Sequence, residues 1–182
     1  MKKQGFTLIE ILVVIAILGI LMGMTIPAAS TIVKKARKST ARTDAAVVQS
    51  GLMAYRGEYG SWPDFAKGRH SQHLTDHEFL ETMMPSPEGK PPAENLKRVR
   101  FIEGGKDVVG PGNSGGDDQY LDPWGNPFQY LVNETPKETM GLGSFGSGYE
   151  GPEEIRAKVL VWSAGEDGDY ATWEDNVCSW EN

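Results

Sequence analysis

Between Phe6 and Ile26 polar side chains almost vanish, and the run FTLIEILVVIAILGILMGMTI holds a single ionisable residue, Glu10. A helix rising 1.5 Å per residue covers roughly 30 Å over that length, the thickness of a bilayer core. The pattern predicts a membrane span. Lys2 and Lys3 precede it with no acidic residue between them, so the positive-inside rule places the N-terminus in the cytoplasm and the remainder across the membrane. Farther along, Ala41, Ala45, Val48, Leu52, Tyr55 and Tyr59 recur at alternating spacings of four and three. That is one helical stripe, so the helix is expected to continue to about Tyr59 and to lay this face on a sheet. Pro27 removes one backbone hydrogen bond and is expected to kink or loosen the helix. Gly19 and Gly23 either form a helix-packing face or mark its flexible part, and both readings stay open.

Glycines, Trp62 and Pro63 end the helix. A short second helix is expected over Leu74 to Met84, with Thr75 and Glu78 at capping-box spacing and Pro85 closing it. Residues 85–96 and 104–118, rich in Pro, Gly and Asn, read as loops. Lys97 to Glu103, Phe128 to Asn133 and Lys158 to Ser163 alternate as strands do. The expected class is α+β, a long N-terminal helix packed on a small antiparallel sheet.

The 182 residues suffice for one globular domain with an appendage and are thin for two cores. With 18 basic and 25 acidic residues the net charge is -7, which argues against a nucleic-acid partner, since neutralising phosphates takes excess Lys and Arg. Lys34, Lys35, Arg37, Lys38 and Arg42 cluster just after the apolar run and read as a solvated helix face beside anionic lipid headgroups. The single cysteine, Cys178, allows no intrachain disulfide.

Glu10 is the chemical oddity. A secretory signal peptide has a similar basic start and apolar middle, and Ala28-Ala29-Ser30 offers a weak cleavage site. A carboxylate inside such a segment costs about 2.5–3.5 kcal/mol and does nothing for a discarded peptide, which points to a retained segment. No nucleophile–base pair or catalytic metal spacing is present, so an enzyme is not expected. Gly110 to Gly116 lacks the Gly-Lys-Ser/Thr ending of a phosphate loop. His70, His73 and His77 lack neighbours that complete a zinc set and read as hydrated surface.

Lys2-Lys3-Gln4-Gly5-Phe6-Thr7-Leu8-Ile9-Glu10 resembles the class III signal of type IV pilins and type II secretion pseudopilins. The resemblance implies that residues 1–5 are a leader removed by a prepilin peptidase between Gly5 and Phe6, and that the new Phe6 terminus is N-methylated. Residues 6–29 would form the transmembrane and filament-core helix, and residues 30–182 a periplasmic domain with a type IV pilin-like fold. Once the cut frees an amine on Phe6, Glu10 lies one helical turn along and can pair with that amine or with a neighbouring subunit's. Leu121-Asp122-Pro123-Trp124-Gly125-Asn126-Pro127 and the stretches Ser163 to Gly168 and Glu174 to Trp180 resemble the major type II secretion pseudopilin.

That resemblance implies a C-terminal calcium loop, with side-chain ligands at Asp167, Asp175 and Asn176 and backbone carbonyls including that of Ala164. Asn176 stands where Asp is usual, and the loop is one residue longer between Asp167 and Asp175. Calcium takes six to eight oxygens, a demand that a glycine-containing turn can meet. The implied function is a structural subunit, a polymer of this chain with minor pseudopilins, raised from an inner-membrane assembly platform. The alternative is a type IV pilin for adhesion, motility or DNA uptake.

Overall fold

The structure, a computed structural model, describes residues 5–68, 72–104, 107–113, 115–135, 139–141 and 154–180, with residues 23–29 and 141 described through their backbone alone. Lys2, Lys3, His70, Ser114 and much of the stretch 134–157 lie outside these residues. Two compact units divide the chain, Met1–Arg37 and Lys38–Asn182. The elements are α1 (Leu8–Tyr59), a 3-10 turn (Asp64–Ala66), β1 (His73–Leu74), α2 (His77–Met83), β2 (Val109–Gly110), β3 (Gln119–Tyr120), β4 (Gln129–Val132), β5 (Met140–Gly141), β6 (Glu154–Ile155), β7 (Val159–Ser163) and β8 (Val177–Cys178).

The helix α1 ends at Tyr59, as its stripe predicts, and its assignment runs unbroken through Pro27. A proline removes one rung, and the neighbouring bonds of a 52-residue ladder carry the helix past it. In the first unit the apolar side chains from Phe6 to Met22, with Ile32 and Val33, are exposed. Among the described residues no helix is long and apolar enough to cross a membrane. The predicted span 6–29 includes residues 23–29, whose side chains lie outside the described set, and Leu8 to Met22 alone falls short of the roughly 20 residues a bilayer core takes.

In the second unit the stripe is buried: Ala41, Ala45, Val48 and Leu52 are wholly inaccessible and Tyr55 nearly so. It faces a four-stranded antiparallel sheet of order β1-β4-β7-β8. The central pair sets Tyr130 opposite Val161, Leu131 opposite Leu160 and Val132 opposite Val159. Because successive side chains point to opposite faces, Tyr130, Val132, Val159 and Val161 join the α1 stripe, Trp62 and Phe79 in one core. Leu131, Leu160 and Trp162 turn outward into a second cluster with Met140, Trp173 and Cys178. There the rings of Trp162, Trp173 and Trp180 gather with centroids 6.0, 6.0 and 6.4 Å apart. This cluster covers the sheet face turned away from α1.

Three expectations are corrected. Lys97 to Glu103 is not a strand, because its backbone groups are claimed elsewhere. Val99 N–H donates to the Asn95 side chain, and the N–H groups of Phe101 and Ile102 both donate to the Met83 carbonyl at the end of α2. The alternation at Phe101 and Ile102 instead seats Ile102 against α1, where Gly51 makes room: a Cβ there would lie 2.3 Å from Ile102 Cγ1. The second helix begins at His77, not Leu74, with Asp76 as N-cap accepting from Phe79 N–H at 3.0 Å. Thr75 is buried instead, its hydroxyl donating to Tyr120 O at 2.6 Å and accepting from Phe128 N–H at 2.8 Å. Finally, His73 is not hydrated surface: it is half-buried in β1 and stacks on Tyr130, while His77 stays exposed and faces Glu81.

Candidate functional site

Two regions carry the residues singled out in the sequence. At the N-terminus, Gly5, Phe6 and Thr7 precede the first helical residue, and Phe6 is 81% exposed. Thr7 N–H and the Thr7 hydroxyl both donate to Glu10 Oε2, at 2.8 and 2.6 Å. In return Glu10 N–H reaches Thr7 Oγ1 at 3.4 Å. This is a reciprocal capping box, which satisfies donors that every helix start leaves orphaned. The sequence reading missed it although Thr7-Leu8-Ile9-Glu10 carries the Thr-x-x-Glu signal just before an apolar run. Glu10 therefore serves the start of its own helix.

The second region is the loop 164–176, held at its base where Ser163 of β7 pairs with Val177 of β8. Gly165 adopts φ +72, and a Cβ on it would lie 2.6 Å from both the carbonyl oxygen and Oδ2 of Asp175. Asp175 Oδ2 accepts Glu166 N–H at 2.5 Å and Asp167 N–H at 3.0 Å. Successive N–H groups aimed at one anion form a nest, and the glycine supplies the backbone turn that makes it. Asp167 takes the Thr172 hydroxyl on Oδ2 and Asp169 N–H on Oδ1, and these bonds, the hydroxyl first, hold its pKa below the ordinary value.

The structure thus brings Asp167, Asp175 and the Ala164–Gly165 peptide together. Asn176 follows directly, with its Nδ2 donating to Tyr170 O at 3.3 Å and its Oδ1 buried without a hydrogen-bond partner. An orphaned buried amide oxygen in a loop that also carries two aspartates is a group that an oxygen-seeking cation can satisfy. Among the described residues no three His, Cys, Asp or Glu side chains converge on one point, so a cation here would draw on amide and carbonyl oxygens as well.

Asp122 and Ser163 stand in stretches that the sequence singles out, but that they brace this loop is not legible there. Asp122 opens the turn 122–126, where its Oδ1 accepts the N–H groups of Trp124 and Asn126, each at 2.9 Å. Its Oδ2 accepts the Ser163 hydroxyl at 2.5 Å. Burial raises its pKa, and these donors oppose the rise. Asn113, from the glycine-rich stretch, donates to Trp124 O at 2.9 Å and to Asn126 Oδ1 at 3.0 Å. That stretch clamps the turn.

A long N-terminal helix and a small antiparallel sheet make this an α+β protein whose architecture agrees with a type IV pilin-like fold. Residues 1–26 match the family model described as the prokaryotic N-terminal methylation motif. Type II secretion system core protein G of Vibrio cholerae is 30% identical, with 89% of this chain and 93% of that relative covered. The protein of the same name in Pectobacterium carotovorum is 30% identical over 98% of this chain and 85% of its own. That of Pseudomonas aeruginosa is 29% identical over 88% and 96%. The chain belongs to the type II secretion system core protein G family.

Proposed function

We propose that the chain is a structural subunit, not an enzyme, of a type II secretion pseudopilus that assembles from the inner membrane and helps push folded proteins across the outer membrane. In this reading prepilin peptidase removes residues 1–5 between Gly5 and Phe6, and the Phe6 amine is methylated. Residues 6–29 cross the lipid bilayer once with the N-terminus cytoplasmic, and residues 30–182 form the periplasmic domain. The subunit polymerises with itself, alongside minor pseudopilins, from an inner-membrane assembly platform. Glu10 pairs with a Phe6 amine once the leader is gone, exchanging its bonds to Thr7 for a charge-assisted one.

Calcium, when bound, supplies a multivalent oxygen-seeking centre that ties the start of the C-terminal loop to its end. Asp167, Asp175, Asn176 and the Ala164 carbonyl would hold it. The unpaired Asn176 Oδ1 supports this assignment.

One observation carries the functional reading: a methylation-type N-terminus covering residues 1–26 stands on a chain that matches the core protein G relatives over most of both lengths. Co-expression with a cognate prepilin peptidase tests it. Mass spectrometry should find a methylated chain beginning at Phe6, and electron microscopy should find filaments. Glu10→Ala should leave insertion and cleavage intact and abolish the filaments. A mature chain that starts beyond residue 29 would overturn the reading.

A further inference from the structure

We infer that Ser163 and Asp122 are positioning residues for the C-terminal loop, fixing the direction in which the Ala164 carbonyl points. The inference rests on the calcium reading above and deepens it. Ser163 ends β7 and is fully buried, its backbone already paired with Val177. Its Oγ donates to Asp122 Oδ2 at 2.5 Å and accepts Gly165 N–H at 3.0 Å.

The polarity of this relay follows from its members. Asp122 is 3% exposed, receives two backbone N–H groups on Oδ1 and takes the Ser163 hydroxyl on Oδ2. The serine proton therefore goes to Oδ2, which leaves an Oγ lone pair facing Gly165. The Gly165 N–H and the Ala164 C=O belong to one planar trans peptide and point in opposite directions. Pinning the N–H on Ser163 aims the carbonyl the other way.

A contact and the burial of the peptide bear on the same oxygen. Gly165 has no room for a Cβ against Asp175, so the peptide is backed from the side of that loop carboxylate. Ala164 itself is fully buried, and a buried carbonyl has to find its partner within the protein or in an ion. The turn 122–126 thus sets one oxygen of a loop more than forty positions away, through a single hydroxyl.

The test is calcium chloride titration by isothermal calorimetry on full-length processed protein in detergent, with thermal melts in calcium and in EDTA. Ser163→Ala should weaken calcium binding by about tenfold or more, the usual effect of losing an outer partner of a ligand. Asp122→Asn, which turns an amide N–H toward Ser163, should weaken it likewise and serves where Ser163→Ala does not fold. The double variant should be no worse than the poorer single one, since both act through one relay. A merely structural role would lower both melting temperatures equally and leave the affinity at the wild-type value, which overturns the inference. Wild-type protein that takes up no calcium overturns the metal reading and this inference with it.

Discussion

Thr7 holds Glu10 twice, its N–H and its hydroxyl both ending on Oε2 at 2.8 and 2.6 Å. The carboxylate that makes the apolar run unusual is thus hydrogen-bonded within its own first turn. Removing the hydroxyl with Thr7→Ala should cost about 1 kcal/mol at the helix start, the ordinary worth of a cap. Hydrogen exchange of the full chain in micelles should show faster exchange at residues 8–11, with Thr7→Ser restoring protection. Unchanged exchange would mean that the cap contributes nothing.

Asn95 should be the least replaceable polar residue of the core. It is fully buried, its Nδ2 donates to Thr82 O and Val99 O at 2.7 Å each, and its Oδ1 accepts from Val99 N–H at 3.0 Å and the Tyr59 hydroxyl at 2.8 Å. Asn95→Asp keeps the shape but sets a carboxylate oxygen against two carbonyls. A loss of about 3 kcal/mol or more in urea unfolding is expected, since a buried charge is left facing acceptors. A loss below about 1 kcal/mol would show that water reaches the site.

Asp44 should make the protein less stable at neutral pH than it need be. Burial, and then the nearby charge of Asp122, raise its pKa above the ordinary 3.8, and its Oδ2 is enclosed without a partner. Tyr120, the other titratable group coupled to it, has its own pKa raised, chiefly by burial, and stays neutral. A carboxyl raised in the folded state stabilises fully below its unfolded pKa, and that stabilisation is lost as pH rises through the folded value. Asp44→Asn should therefore melt higher than wild type near pH 7, with the gap closing as pH falls to about 3.5. A gap that does not change with pH would assign the effect to packing.

Chelation should loosen the C-terminal loop. An ion that binds the folded loop alone stabilises by mass action, about 2.7 kcal/mol when free calcium is a hundred times the Kd. EDTA should lower the Tm of metal-loaded protein accordingly, and Asn176→Ala, which deletes the unpaired oxygen, should shrink that drop. Metal-loaded protein that melts at the same temperature with and without EDTA would retire the site.

The large features were legible because they are periodic. The stripe from Ala41 to Tyr59 predicts both the end of α1 and its buried face, and the alternation over 128–133 and 158–163 finds β4 and β7 within a residue or two. The two-residue strands β1, β2, β3, β5, β6 and β8 are too short to show a period. Lys97 to Glu103 has the alternation of a strand without the ladder, since Asn95 and the Met83 carbonyl reach its N–H groups first. In the loop, the Asp167 N–H reaches the carboxylate of Asp175. The serine and aspartate that brace them come from a strand end and a distant turn, a juxtaposition that only the fold creates.

The tryptophan trio gives this protein a built-in optical reporter. Three of its five indoles sit together on the outward face of the sheet, and Trp173 belongs to the loop 164–176. Coupled chromophores at such separations give the near-ultraviolet dichroism a signature that vanishes when one swings away. Any change in the packing of the loop 164–176 can then be followed in unlabelled protein, in real time, by light alone.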